Sequence, residues 1–228
     1  MPETLKPETP EQVRDAVRWA AENKTPVELI GHGSKRTMGR PGNVGHTIEV
    51  SALSGISLYE PEELVLSAGA GTSLAEIEDT IAERNQQLAF EPPDLSHLLG
   101  HDGGKGTLGG NIACNLSGPR RIKAGAARDH FLGFQAISGR GDDYKSGGRV
   151  VKNVTGYDLC KLLAGSWGTL GVMTELTIKV LPMPEKTRTV LVMGLDGDQA
   201  VAAMTRAFHS PHDVTSGAWM SLSLTAGS

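Results

Sequence analysis

Cysteine, aromatic residues, basic excess and long apolar runs are all scarce in this sequence. Its two cysteines, Cys114 and Cys160, lie far apart, without the spacing of zinc or iron–sulfur ligands, so two buried thiols in a reducing compartment are expected and no metal site is. Aromatics make up 4% of the chain and the net charge is −4. That leaves few platforms for stacking bases and no basic field for a phosphate backbone, which argues against nucleic-acid binding. No apolar run reaches the roughly 18 residues of a membrane helix. The opening MPETLKPETPEQ lacks a basic segment followed by an apolar one, so no signal peptide is expected and the cytoplasm is the default compartment.

What the chain has in excess is glycine, 29 of 228 residues or about 13%, against roughly 7% in average usage. Two stretches concentrate it: GTLGGNIACNLSG, Gly106 to Gly118, and GSWGTLGVMTELTIKVLP, Gly165 to Pro182. Glycines beside apolar β-formers weaken a strand, and are kept where a backbone bends or approaches something closely.

The remainder reads as mixed α and β. Thr9, Pro10 and Gln12 open a capped helix over Pro10 to Asn23, with Val13, Val17 and Ala20 on one face. Val27 to Ile30 is a short strand that runs into the loop GHGSKRTMG, Gly31 to Gly39. Strands are expected at Thr47 to Val50, Ile56 to Tyr59 and Leu64 to Ala68, then a helix capped by Ser73 and Glu76 through about Asn85. The loop from Glu91 to Gly106 is too long for a simple connector. Phe131 to Ser138 and Arg149 to Val154 read as strands joined by a hairpin-like turn, GRGDDYKSGG. Strict alternation from Val172 to Val180 predicts a half-buried strand, and PMPEK, Pro182 to Lys186, reads as a boundary. Beyond it a strand (Thr189 to Leu195), a helix (Gln199 to Phe208) and a strand (Ala218 to Leu224) are too few for a core of their own. Residues 1–186 therefore form one domain, and 187–228 part of a second.

Glycine turns suit a dinucleotide pyrophosphate, whose charge is met by backbone N–H groups that no Cβ obstructs. GHGSKRTMG has that composition, with Ser34, Lys35 and Arg36 adding donors, and GTLGGN adds a second run of N–H groups. Neither has the Walker or the Rossmann order. Turns in a β-rich fold remain the plainer reading of the same glycines.

GTLGGNIACNLSGPRR, VVKNVTGYDLCKLLAGSWGTLGVMTELTIKVLPMP, GHGSKRTMGRP and FEPPD, in that combination, resemble the FAD-binding domain of the vanillyl-alcohol oxidase or PCMH type over about residues 10 to 186. Within that family the likeness is greatest to the small flavin subunits of bacterial glycolate oxidases. The resemblance implies an α+β fold of two α+β subdomains with FAD between them, followed here by an incomplete α+β cap fragment. It implies that Gly31, His32, Gly33, Ser34 and Lys35 wrap the pyrophosphate, and that Thr107, Gly109, Gly110 and Asn111 line its other side. Pro93 and Asp94 run past the flavin, Gly118 and Arg121 follow the second loop, and Val172 touches the cofactor. Some members attach flavin to a histidine where this chain has Ser34, so non-covalent FAD is expected.

The resemblance further implies a complex with a larger FAD-binding glycolate oxidase subunit and an iron–sulfur subunit, acting on a small 2-hydroxy acid. Peripheral contact with the inner face of the membrane would come only through those partners. A catalytic base and carboxylate-binding cations have candidates by residue type alone, in His97, His101 and His130 and in Arg120, Arg121 and Arg128. Surface or loop positions are the stronger reading of all of them, and the catalytic residues stay unknown. A redox subunit, a self-sufficient 2-hydroxy acid dehydrogenase and a docking subunit without catalysis are the three readings open at this point.

Overall fold

The computed structural model describes residues 3–40, 42, 44–101, 104–148 and 156–221. Two sheets organise it. The first unit holds β1 (Glu3–Leu5), α1 (Pro10–Glu22), β2 (Val27–Ile30) and β3 (His46–Glu49), whose strands pair in parallel in the order β1-β3-β2. Thr9 caps α1 by accepting from the Gln12 amide at 3.3 Å, and the Gln12 side chain accepts from Glu8 at 2.7 Å, one residue before the expected partner. Val13 and Val17 then pack with Ile48, Val50 and Leu53.

The second unit contains β4 (Ile56–Glu60), β5 (Val65–Gly69), α2 (Leu74–Ala82), β6 (Gln86–Gln87), α3 (Ser96–Leu99) and α4 (Leu108–Cys114). It continues with α5 (Arg121–Ala124), α6 (Ala127–His130), β7 (Phe131–Ile137), β8 (Asp143–Gly147), α7 (Leu159–Leu163), β9 (Val172–Lys179) and β10 (Leu181–Pro182). An antiparallel sheet in the order β4-β5-β9-β7-β8 is its frame. The alternating strand β9 is central, and its Leu176 and Ile178 are fully buried against Leu74, Ile77, Phe90, Leu108 and Ile112. Ile137 and Val172, at the adjacent ends of β7 and β9, pack instead with α1 and β3 and so join the two units.

Five expectations change. The run after Thr107 is helical, because the Thr107 hydroxyl accepts from the Gly110 amide at 3.2 Å and caps α4. The α2 helix stops at Ala82, and Asn85 turns left-handed (φ 53°) to enter β6. Residues 143–147, expected as turn, form β8 on β7, where pairing outweighs their poor strand propensity. No strand forms over 189–195, and Val190 to Met193 are exposed, with no neighbouring strand to pair with among the described residues. Residues 218–221 are likewise irregular, and the expected strand over 149–154, with 222–224, lies outside the described residues. Helix α8 (Gly197–Phe208) is present, with Asp196 and Gln199 exchanging both capping-box bonds. Among the described residues no helix is long and apolar enough to cross a membrane.

Candidate functional site

Strand β2 ends at Ile30, and Gly31 packs against Thr107 at the start of α4. Among the described residues, the main-chain N–H groups of His32, Gly33, Ser34 and Lys35 donate to no protein acceptor. Consecutive unpaired amides in a short loop form a concave anion site. The loop closes on itself through Arg36 N–H to Gly33 O at 3.1 Å and Met38 N–H to Lys35 O at 3.0 Å.

Contacts too close for side chains bind this loop to the second glycine run. A Cβ on Gly31 would overlap the Thr107 hydroxyl and lie 2.9 Å from its methyl. At Gly106, where φ is +85°, a Cβ would overlap the Ser34 hydroxyl. Three polar ties reinforce the seam. The His101 ring Nε2 is 2.7 Å from the Ser34 carbonyl, and the Lys35 ammonium donates to Ser34 Oγ at 3.1 Å and to the Lys105 carbonyl at 3.2 Å. Burial pushes Lys35 below the usual lysine pKa, while the fields of Cys114 and Asp94 oppose that.

The second run behaves differently from its sequence reading. Its amides are spent within the protein: Leu108 on Thr72 O, Gly109 on Ala70 O (both 2.9 Å), Gly110 on Thr107 Oγ1, and Asn111 on Thr107 O at 2.9 Å. It offers no array of free donors comparable to the first loop. Gly109 is small because α4 sits on Ala70, where a Cβ would come within 2.9 Å. What the run leaves open is the Asn111 side chain, fully buried with neither its amide nitrogen nor its oxygen partnered among the described residues. A buried amide in that condition is costly unless a ligand meets it.

The remaining residues singled out in the sequence divide into two groups. Asp94 lies beside the loop, lining a polar cavity of about 400 Å³ with His32, Ser73, Glu78, Lys105 and Gly106. Its carboxylate accepts from the Ser96 amide at 2.9 Å, and hydrogen bonding to Ser96, from the hydroxyl first and the amide second, holds it below the ordinary aspartate pKa. Pro93 precedes it, half-buried. Gly118 lies against Glu91, donating its N–H to Phe90 O at 2.9 Å. Arg121 is exposed at the start of α5. Val172 is not part of this seam; it lines a separate cavity of about 410 Å³ with Leu29, Ile48, Gly168 and Gly171.

Of the candidate acid–base and cationic residues, His130 is a core residue. It is fully buried, with Nε2 2.9 Å from the Ala124 carbonyl and its ring tilted against Phe90. Arg120 is tied to Gln87 at 3.0 Å and Glu91 at 3.8 Å. His97 and Arg128 are exposed. Sequence reasoning missed the Lys105–Glu78 pair, two bonds of 2.7 and 2.8 Å at the cavity wall. Nothing in a spacing of 27 residues signals it.

An open amide loop beside a buried, unpaired carboxamide suits a phosphorylated cofactor, and the comparisons agree. Residues 3–145 match the family described as the FAD binding domain, and the chain belongs to that family. It is 45% identical over 170 residues to the Escherichia coli K12 glycolate oxidase subunit GlcE, covering 75% of this chain and 46% of that protein. It is 29% identical over 202 residues to the Bacillus subtilis glycolate oxidase subunit GlcD, covering 88% of this chain and 41% of that protein. The chain thus spans less than half the length of these relatives. A solved alkyldihydroxyacetonephosphate synthase has a similar fold, with a TM-score of 0.62 and 22% identity over 80% of this chain and 32% of that one. The α+β FAD-binding fold expected from the sequence is the fold present.

Proposed function

We propose that this chain is the FAD-holding part of a glycolate oxidase-type subunit, which oxidises a small 2-hydroxy acid within a complex. The observation that carries it is the set of four open amides at His32 to Lys35, in a chain 45% identical to a glycolate oxidase subunit. In this reading those amides and Lys35 meet the pyrophosphate, and Asn111 offers its unpartnered carboxamide. Thr107, Gly109 and Gly110 act by seating the loop. Asp94 and Pro93 border the flavin side, Gly118 and Arg121 flank the second run, and Val172 contacts the cofactor from its own cavity. Bound flavin supplies the hydride and electron chemistry.

FAD is held without a covalent bond. Ser34 stands where a histidine would be needed, and its hydroxyl is packed against Gly106. In this reading the substrate chemistry is completed by further polypeptide. That comes from a cap, of which residues 187–228 are a fragment following the 1–186 domain, and from a larger flavin subunit with an iron–sulfur subunit. The complex is cytoplasmic, reaching the inner membrane face only through those partners.

Incubating the purified chain with FAD and recording the visible spectrum tests the reading. A protein-bound flavin spectrum that passes wholly to the supernatant on acid precipitation is expected. Flavin left in the pellet would overturn the non-covalent assignment, and no bound flavin at all would overturn the whole. Anaerobic glycolate should bleach the flavin only when the larger subunit is present. Bleaching in the isolated chain would favour a self-sufficient dehydrogenase.

A further inference from the structure

We infer that His101 is a positioning residue for the cofactor, a latch that holds the amide loop in its anion-binding form. The inference rests on the FAD reading above but concerns a residue outside the glycine motifs that carry it. His101 follows α3 in the long 91–106 loop, 67 positions from Ser34, and its Nε2 lies 2.7 Å from the Ser34 carbonyl. A carbonyl only accepts, so Nε2 carries the hydrogen and donates.

The consequence follows from peptide geometry. In a trans peptide the carbonyl and the following N–H point in opposite directions. Fixing the Ser34 carbonyl toward His101 therefore turns the Lys35 N–H away from it, as the last of the four open amides. Without that bond the Ser34–Lys35 peptide is free to rotate, and a rotated plane would present a carbonyl oxygen to an anion. Lys35 makes a second tie across the same seam, from its ammonium to the Lys105 carbonyl at 3.2 Å, and Gly106 against Ser34 is a third. His101 is the one whose loss changes neither the loop's own residues nor a glycine contact.

Three proteins test this: the unsubstituted chain, His101→Ala and His101→Gln, whose amide nitrogen reproduces the Nε2 donor. FAD dissociation is followed by recovery of flavin fluorescence on dilution. His101→Ala should release FAD about fivefold faster, the size expected for the Ser34 bond, and His101→Gln should stay within about twofold of the parent. A cofactor-independent reading comes from amide exchange in the FAD-free protein. The N–H groups of Arg36 and Met38, which close the loop, should exchange several-fold faster in His101→Ala and not in His101→Gln. Unchanged exchange and an unchanged release rate in His101→Ala would overturn the latch. So would a lowered melting temperature that His101→Gln fails to restore, since that is general destabilisation. Failure of the unsubstituted chain to take up FAD would overturn the cofactor reading, while the exchange data still decide the latch.

Discussion

Replacing Gly31 by alanine isolates the seam between the two glycine runs. The backbone there lies outside the left-handed region, so alanine meets no conformational penalty and the cost is steric alone. The new Cβ would overlap Thr107 Oγ1 and stand 2.9 Å from Cγ2 and 3.2 Å from Cβ, against a residue that is 2% exposed. Overpacking of this kind costs about 1–3 kcal/mol. If the loop yields rather than α4, the same energy appears in cofactor affinity, and about 2 kcal/mol is roughly a thirtyfold weaker Kd. Thr107→Ala alone loses the α4 cap, worth about 1 kcal/mol. In the double variant the overlapping atoms are gone, so it should be less destabilised than the sum by about 2 kcal/mol, well beyond the scatter of independent sites. Urea midpoints and FAD titration of the four proteins measure both quantities. Additive effects within about 0.5 kcal/mol would refute the claim that these residues form one seam.

Further predictions concern the interior. Burial lowers the pKa of His130 from its ordinary value of 6.5, so the unfolded chain takes up that proton first. Stability should therefore be full above pH 6.5 and fall as the pH drops through and below that value. His130→Gln should flatten this part of a denaturation-against-pH curve, and an unchanged slope would count against a buried neutral imidazole. Cys160 is buried with its pKa pushed up to about 11, so at pH 8 a thiol reagent should label the half-buried Cys114 first and reach Cys160 only in denaturant. Leu176→Ala, in the central strand, should cost about 2–5 kcal/mol. Val190→Ala, in the exposed run, should stay within about 0.5 kcal/mol, and a larger loss there would mean that 190–193 is packed.

Periodicity made the elements that bury one face legible: α1, β9 and the bodies of α2 and α8 lie where apolar spacing placed them, with the Thr9 and Ser73 caps read in the sequence and the Asp196 cap seen only in the structure. It failed where the local pattern is weak and the partner is distant. Asp143 to Gly147 have poor strand propensity, yet β7 supplies a full ladder of hydrogen bonds. Thr189 to Leu195 have the composition of a strand and no ladder to join among the described residues. The glycines of 106–110 read as a bend in a strand because glycine disfavours both strand and helix. One hydroxyl cap from Thr107 decided for helix.

Sequence alone determined that a glycine loop carrying polar donors follows β2, since strand, glycines and donors are consecutive there and a peptide's own φ and ψ shape such a turn. Only tertiary structure decided which glycines give free amides and which give room. Gly109 and Gly110 resemble Gly31 and Gly33 in composition, but Ala70 O and the Thr107 hydroxyl take up their N–H groups, whereas among the described residues the amides of His32 to Lys35 meet no protein acceptor. The same holds for the ties across the seam. His101 to Ser34 and Lys35 to Lys105 join residues about 70 positions apart, brought together where Gly31 packs on Thr107 and Gly106 on Ser34, a relation no local pattern encodes.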